Sequence, residues 1–501
     1  MPKPLWTPGQ DRVDRANLSR FMRFVREEAG NADLNSYAPL WRLSVEQPAQ
    51  FWTALWDFVG IRGSGERSPV LVDDEGMASS RWFPGVSLNF AHNLLRFDDE
   101  RIAIRMLAPE GERGALTYAQ LNRRVAALSA AMRVAGVVPG DRVAALLPNG
   151  PEALVAMLAA ASVGAAWFTC PGSLTRAHAA AVLADLQPRL VLADVAADLD
   201  GLDAILAGGA AAVLMRGPSP ENGFATGLLD FVAEHADAPL EFTPLPFDQP
   251  LYLTLAAPRD GTREILVHGA GGTLIQHLKE LVLHADLKRE DRIFFHADND
   301  AMSWYWLASS LATGAVLVLH ETGELPPDGD ALWDLVDEAG ITVLGVHGAW
   351  LDAAARAGRV PRETHRLLSL KTILTAGPGL AADSYEYVYR DIKERVFLAP
   401  VATGTDTLAC VAIGAPLLPV NAGEIPCRAL GMEVEVLDGD GHPLVDAVGD
   451  LAVCAPFPSM PLGFWNDADG TRYSAAYFSR HPGVWCRGER ATLTAHDALI
   501  L

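Results

Sequence analysis

The segment from Leu253 to Gly272, LTLAAPRDGTREILVHGAGG, has the pattern of a strand, a glycine-containing turn and the start of a helix. A turn in that position usually points backbone N–H groups at an anion such as a phosphate. The pattern therefore predicts an anion-binding loop, although its charged residues and its proline are an unusual lining for one. The residues in question are Pro258, Arg259, Asp260, Gly261, Arg263 and Glu264.

Residues that could act as nucleophiles, bases or metal ligands are scattered along the chain. His268 and His347 are accompanied by no Gly-x-Ser-x-Gly motif and no cysteine nucleophile motif, so we assign neither as a catalytic base. The five cysteines form no Cys-x-x-Cys pair and have no histidine partner nearby, which argues against a metal site. We expect reduced thiols, as is usual in a cytoplasmic protein.

The charge balance excludes some classes of partner. The 501 residues include 40 Lys and Arg and 62 Asp and Glu, which gives a formal net charge of −22 without any basic run. Nucleic acids and anionic membranes bind clustered basic residues, so we expect neither as a partner. The first residues contain no apolar segment of the signal-peptide type, and we therefore predict a cytoplasmic location.

One stretch without charged residues, Ala153–Gly172, is long enough to span a bilayer. Gly164 divides it, and the turn residues Pro148–Pro151 that precede it favour a helix start. We therefore predict a buried helix followed by a buried strand, and no membrane span.

Short apolar runs alternate with helical segments over most of the chain, a pattern typical of parallel α/β sheets. After about Asn421 the runs are separated by short Gly/Asp turns, which indicate antiparallel hairpins. The predicted fold is α/β, with two parallel-sheet lobes and a small antiparallel β subdomain. The predicted segments are an N-terminal cap at 1–95, a first lobe at 96–250, a second lobe at 251–420 and the β subdomain at 421–501.

Five segments resemble the acetoacetyl-CoA synthetase branch of the acyl-adenylate-forming superfamily, which includes acyl-CoA synthetases, adenylation domains and luciferases. They are Trp82–Leu95, Leu116–Ala144, Leu266–Arg292, Arg428–Pro443 and Pro456–Gly470, and the string PFPSMPLGFW in the last is specific to the branch. The resemblance implies two α/β lobes, a β subdomain and a further C-terminal domain. It also implies that Mg-ATP converts a carboxylate to an acyl-AMP, from which CoA thiolate displaces AMP.

The resemblance identifies the turn described first as the position of a Ser/Thr/Gly-rich phosphate loop that ends in Pro-Lys. In this chain Pro258 occupies a glycine position and Glu264 occupies the lysine position. Proline removes an N–H donor and fixes φ, while Asp260 and Glu264 bring negative charge towards a polyphosphate. We therefore expect this loop to have lost its ATP chemistry. The alternative is that Arg259 and Arg263 replace the lost contacts.

Other positions implied by the resemblance are better preserved. Thr405 and Asp406 match a Gly-Gly-Thr-Asp motif in which the threonine contacts the α-phosphate and the carboxylate holds Mg²⁺. Glu489 stands where the family has an aspartate that chelates the ribose, and Gly377 would let backbone approach the adenine and acyl pocket closely. Alternatively, Asp406 caps a turn, Glu489 is a surface residue and Gly377 belongs to a plain turn.

Trp304 and Trp306 are candidate walls of the acyl pocket, although aromatic residues on a helix in a lobe core are more often packing residues. No residue of the chain matches the lysine that the family's C-terminal domain contributes. We therefore expect that domain to be absent.

Together these features predict a degenerate acetoacetyl-CoA-synthetase-like protein that is not a self-sufficient ATP-dependent CoA ligase. It would hold a small acyl ligand or acyl thioester, or act as a partner subunit or homodimer in a biosynthetic pathway, with Mg-ATP or AMP bound weakly if at all. The alternative is an enzyme acting on a small 3-oxoacyl substrate. It would work by acyl-adenylate formation with residues supplied in trans, or by ATP-independent chemistry on an acyl thioester.

Overall fold

The computed structural model describes residues 3–29, 34–108, 111–195, 202–219, 223, 225–257, 263–320, 325–377 and 379–501. In chain order, its strands are β1 (Gly63–Gly65), β2 (Leu71–Val72), β3 (Arg81–Trp82), β4 (Val86–Leu88), β5 (Ile102–Ala108), β6 (Gly111–Thr117), β7 (Arg142–Leu146), β8 (Ala166–Thr169), β9 (Leu190–Ala193), β10 (Ala211–Leu214), β11 (Thr226–Gly227), β12 (Leu245–Pro246), β13 (Pro250–Leu255), β14 (Ile265–Gly269), β15 (Arg292–Phe295), β16 (Val316–His320), β17 (Val343–His347), β18 (Thr372–Ala376), β19 (Phe397–Gly404), β20 (Ala409–Ile413), β21 (Val434–Leu437), β22 (Val448–Val453), β23 (Gly463–Phe464), β24 (Trp485–Leu493) and β25 (Leu499–Ile500).

The α-helices are α1 (Gln10–Arg15), α2 (Asn17–Ala29), α3 (Tyr37–Glu46), α4 (Pro48–Val59), α5 (Phe90–Leu94), α6 (Tyr118–Val134), α7 (Pro151–Val163), α8 (Arg176–Leu186), α9 (Asp203–Ala207), α10 (Leu228–Val232), α11 (Ala270–Leu278), α12 (Met302–Ser309), α13 (Ala331–Ala339), α14 (Gly348–Arg356), α15 (Pro361–Thr364), α16 (Ala382–Tyr387) and α17 (Thr471–Tyr477). A π-helical turn, Lys279–His284, directly continues α11.

Two large sheets and a smaller one organise the molecule. The first has the order β11-β10-β9-β7-β8-β13-β14-β23 and is parallel as far as β13. The second has the order β20-β19-β18-β17-β15-β16-β5-β6 and is parallel from β19 to β5. The third, β21-β22-β24-β25, is antiparallel throughout. The predicted fold class, two α/β lobes with a small antiparallel β subdomain, is thereby confirmed.

Both large sheets take strands from either side of residue 250. The hairpin β5–β6 lies at the edge of the second sheet, whereas β13 and β14 complete the first sheet. The two predicted lobes at 96–250 and 251–420 are therefore interleaved at the level of strand pairing. The segment boundaries themselves stay predictions.

The uncharged stretch Ala153–Gly172 is a helix and a strand, as predicted. Every residue of α7 from Ala153 onwards is buried, and the helix ends at Gly164, whose φ of 100° suits a residue without a Cβ. The strand β8 follows and is buried along its length. Over the described residues, no helix combines the length and the apolar character needed to cross a membrane.

The interior of the second lobe contains a charged side-chain pair that is shielded from solvent. Lys279 and Glu280, at the start of the π-helical turn, are both 0 % exposed, and Lys279 Nζ lies 3.2 Å from Glu280 Oε1. Glu280 also accepts hydrogen bonds from the Cys410 backbone N–H at 2.9 Å and from Trp306 Nε1 at 3.1 Å. Within the described structure the Lys279 ammonium lacks an acceptor in hydrogen-bond geometry, so its attraction to Glu280 is mainly coulombic.

We expect Lys279→Met to lower the free energy of unfolding by about 3–5 kcal/mol, because the substitution leaves the buried Glu280 carboxylate without its counter-charge. The measurement is urea unfolding followed by tryptophan fluorescence. The double variant Lys279→Met, Glu280→Gln should be distinctly more stable than Lys279→Met alone.

The control is Arg67→Gln, which breaks the ion pair Arg67–Asp57, whose side chains are 38 % and 40 % exposed. Such pairs contribute at most about 1 kcal/mol. A Lys279→Met protein as stable as this control would contradict the assignment of Glu280 as a buried, charge-compensated group.

Candidate active site

A cleft of about 610 Å³ lies where the second sheet meets the antiparallel β21–β25 sheet. Parallel α/β sheets usually bind ligands at the carboxyl ends of their strands, and part of this cleft is built from the segments that follow β18 and end β19. The opposite wall comes from β22 and β24. Polar and glycine residues among its lining are Gly377, Gly379, Thr403, Gly404, Thr407, Arg487, Glu489 and Arg490.

The turn between β19 and β20 carries Thr405 and Asp406. The carbonyl of Gly404 accepts from the backbone N–H groups of Thr407 and Leu408 at 3.2 and 3.1 Å, which closes the turn tightly. Leu408 has a φ of 46°, in the left-handed region that non-glycine residues rarely occupy. Such local strain is typical of functional turns that their surroundings hold firmly.

Asp406 is buried, with 4 % of its surface exposed, and its Oδ2 accepts a hydrogen bond from the Tyr477 hydroxyl at 3.0 Å. The Tyr477 ring stacks on Trp485, with ring centroids 5.1 Å apart and planes 8° apart, so α17 and β24 together fix the hydroxyl. The second carboxylate oxygen receives no hydrogen bond from the described residues. A carboxylate oxygen that receives no hydrogen bond is the kind of ligand by which proteins bind Mg²⁺.

Gly377 lines the same cleft immediately after β18. Its φ is 101°, which an L-residue with a Cβ rarely adopts, and a Cβ built there would lie 3.7 Å from Nδ1 of His347. Glycine therefore permits this backbone conformation, whereas a Cβ would meet the His347 imidazole only at an ordinary van der Waals distance.

Glu489 also lines the cleft and forms an ion pair with Arg487, two residues earlier on β24. The side chain of Glu489 is 49 % exposed, whereas that of Arg487 is only 19 % exposed. The structure thus brings Gly377 and Glu489 to one cleft with Gly404 and Thr407, which flank Thr405 and Asp406 in the turn. Their individual roles stay predictions. Arg487 was not identified from the sequence, because nothing in its local pattern distinguishes it from a surface arginine.

A buried carboxylate supports this wall of the cleft from behind. Asp450, on β22, accepts hydrogen bonds from Arg480 Nε at 2.5 Å, His481 Nε2 at 3.0 Å and Arg490 Nη1 at 2.7 Å. Burial opposes ionisation of this group, but these three hydrogen bonds outweigh it and lower the pKa of Asp450 to about 2. The cleft-lining Arg490 is therefore held in place by a group that stays ionised.

The phosphate-loop candidates are only partly described. Pro258, Arg259, Asp260 and Gly261 lie outside the described residues. Arg263 is exposed.

Glu264, which occupies the lysine position of the loop, has a partner that the sequence did not predict. Its Oε2 lies 2.6 Å from Nη1 of Arg472, at the start of α17. The two residues are 208 positions apart in sequence. A guanidinium therefore offsets the negative charge that Glu264 brings to the end of the loop.

The two tryptophans proposed as acyl-pocket walls are core residues in this structure. Trp304 and Trp306 are 1 % and 3 % exposed. Trp304 donates its indole N–H to Oδ1 of Asn149 at 3.0 Å, and Trp306 donates to Glu280. Neither is among the residues that line the cleft. Their assignment to an acyl pocket stays a prediction.

Comparison with known proteins first defines the class of this chain. A family model described as "AMP-binding enzyme" matches residues 90–253, and one described as "Acetyl-coenzyme A synthetase N-terminus" matches residues 37–94. The chain thus has the nucleotide-binding fold of the acyl-adenylate-forming enzymes.

Similarity to individual proteins is more specific. The chain is 36 % identical to acetoacetyl-coenzyme A synthetase of Rhizobium meliloti (strain 1021), over 100 % of this chain and 79 % of that protein. It is 39 % identical to acetoacetyl-CoA synthetase of Rattus norvegicus, over 97 % of this chain and 75 % of that protein. The solved structure of acetoacetyl-CoA synthetase from Streptomyces lividans superposes with a TM-score of 0.93 at 33 % identity, over 100 % of this chain and 80 % of that one. The chain belongs to the acetoacetyl-CoA synthetase family.

These findings correct the functional prediction. The expectation of a degenerate, non-catalytic acyl-binding or partner subunit is wrong, because the whole chain matches acetoacetyl-CoA synthetases and folds as they do. Unfavourable residues in one loop can be compensated by partners that the local sequence does not contain. The pairing of Glu264 with the distant Arg472 is an example.

The Asp450 network generates a pH-dependent prediction. The pKa of Asp450 falls from an ordinary 3.8 to about 2 in the folded protein, so its ionisation stabilises the fold above about pH 4 and that contribution is lost as the pH falls towards 2. We expect Asp450→Asn to lower the free energy of unfolding at pH 7 by about 2 kcal/mol. This is the usual magnitude when hydrogen bonds to a charged group are lost.

The measurement is the urea midpoint of the original chain and of Asp450→Asn at pH 7 and at pH 3. The difference between the two urea midpoints should be smaller at pH 3 than at pH 7. An equal difference at both pH values would contradict the assignment of a strongly acidic Asp450. The control is Asp440→Asn, a change of an exposed carboxylate in the hairpin after β21.

Proposed function

We propose that this chain is an acyl-CoA synthetase that activates acetoacetate as an acyl-adenylate with Mg-ATP and transfers the acyl group to CoA. The observation that carries the proposal is one cleft lined by Gly377, by Gly404 and Thr407 on either side of Thr405 and Asp406, and by Glu489. Its substrate is suggested by the activity named for the relatives that match nearly the whole chain.

The residues of the cleft have distinct roles in this proposal. Glu489 would accept hydrogen bonds from the ribose hydroxyls, and Thr405 would donate its hydroxyl to the α-phosphate. Asp406 would hold Mg²⁺ through the carboxylate oxygen that Tyr477 leaves available. The metal would neutralise negative charge on the phosphates, which favours attack by an anionic carboxylate.

The adenylation step joins the substrate carboxylate to the α-phosphorus of ATP, and pyrophosphate leaves. In the second step the CoA thiolate attacks the acyl carbon and AMP leaves. Charge develops around the α-phosphate in the first step, so groups fixed beforehand around that position have the largest effect on the rate. The tightly closed turn that bears Thr405 and Asp406 supplies such fixed groups.

The test is an assay of the purified chain with acetoacetate, ATP, Mg²⁺ and CoA that quantifies pyrophosphate and acetoacetyl-CoA separately. We expect equal amounts of both products, and acetoacetate should be preferred to acetate and to butyrate. Asp406→Asn should lower kcat/KM for pyrophosphate release about 100-fold, the usual loss for one preorganised electrostatic group. Tyr477→Phe should cost about 10-fold, because it removes only the group that orients Asp406.

Asp57→Asn is the control for loss of a carboxylate, since Asp57 lies on α4 in a surface ion pair. It should retain full activity. A folded protein that releases no pyrophosphate with any of the three acids would overturn the proposal. Pyrophosphate release without thioester formation would restrict the proposal to adenylate formation.

A further inference from the structure

The position of Arg487 suggests a ligand-binding role that the sequence did not reveal. We infer that its guanidinium binds the α-phosphate of the nucleotide in the cleft, as a substrate-binding residue of the proposed acyl-adenylate chemistry. The inference rests on the proposed function, because it requires that a nucleotide occupies this cleft.

The first observation is the contact between Arg487 and Gly404. A Cβ built on Gly404 would lie 1.7 Å from Nη1 and 2.7 Å from Cζ of Arg487, which no real side chain could tolerate. The guanidinium therefore lies directly against the backbone of the residue that precedes Thr405. A side chain at position 404 would displace the guanidinium, so glycine there lets the positive charge sit this close to the turn.

The second observation is that Arg487 lies beside two groups with different expected ligands. It pairs with Glu489, the residue expected to bind the ribose. Its guanidinium also lies against Gly404, which directly precedes the turn of Thr405 and Asp406, and the negative charge of Asp406 acts on it. In a nucleoside monophosphate the α-phosphate is bonded to the ribose. A cation beside both a ribose-binding carboxylate and a phosphate-binding turn is therefore well placed to contact the α-phosphate.

The third observation is the hydrogen-bonding capacity of Arg487. A guanidinium has five N–H donors, and among the described residues the acceptor that it reaches is Glu489. Its side chain is only 19 % exposed, and the negative charges of Glu489 and Asp406 outweigh this burial and raise the pKa of Arg487, so the guanidinium stays charged. A phosphate in the cleft would accept two parallel hydrogen bonds from the N–H groups that Glu489 leaves unused.

The experiment measures calorimetric affinity for AMP, ATP and adenosine in the original chain and in Arg487→Gln, Arg487→Lys and Arg67→Gln. Adenosine shares the base and ribose with AMP but has no phosphate, so it isolates the contribution of the phosphate group. We expect Arg487→Gln to weaken AMP and ATP binding at least 30-fold and to change adenosine binding less than 3-fold. Arg487→Lys should recover part of the loss, since lysine keeps the charge but not the bidentate geometry. Arg67→Gln, in the surface pair with Asp57, should bind all three ligands like the original chain.

The remaining outcomes contradict either the inference alone or the proposed function as well. In one outcome, each Arg487 variant loses as much affinity for adenosine as for AMP. Arg487 then only supports the turn, and the inference fails while the proposed function stands. If neither change affects AMP binding, the inference likewise fails alone. If the folded original chain binds none of the three ligands, the proposed function fails and takes the inference with it. Thermal unfolding of each variant verifies that it is folded before titration.

Discussion

The carboxylate of Glu280 is the group on which the structure around the cleft depends. A carboxylate that is fully buried is tolerated only where hydrogen bonds and a counter-charge compensate for its lost hydration. Trp306 supplies an indole N–H from α12, Cys410 supplies a backbone N–H from β20, and Lys279 supplies the charge. One side chain therefore joins three elements, and none of them can move without leaving a buried polar group unpaired.

The helix α11, which the π-helical turn of Glu280 continues, also contacts the turn between β19 and β20. His277, on α11, is hydrogen-bonded through Nε2 to the carbonyl of Leu408 at 2.8 Å, and burial lowers the pKa of His277 to about 3, so the imidazole is neutral at physiological pH. Glu280 accepts a hydrogen bond from the backbone N–H of Cys410, which lies on β20 two residues after Leu408. The strained backbone of Leu408 is thus fixed from its buried side, which leaves the opposite side of the turn, with Thr403 and Gly404, to line the cleft.

Sequence patterns predicted the layered architecture well because alternation of apolar strands and helices is a local property. The helix and strand within Ala153–Gly172 are an example. Pairings over long distances in the chain could not be predicted in this way. The hairpin β5–β6 completes the second sheet although β7 to β14 intervene in sequence, and Arg472 pairs with Glu264 across 208 positions. The functional prediction failed for the same reason, since the effect of a charged residue depends on partners that its local sequence does not contain.

The charge distribution explains how a strongly acidic chain could hold an anionic nucleotide. The net charge of −22 acts weakly at the cleft, because charges beyond roughly 10 Å are screened at physiological ionic strength. The nearby groups are Asp406 and Glu489, with Arg487 and Arg490 beside them, so acidic and basic charges balance locally. Asp450 secures Arg490 from the side away from the cleft, which keeps that positive charge at the wall. A phosphate entering the cleft would therefore meet two fixed guanidinium groups, and Mg²⁺ would meet one fixed carboxylate.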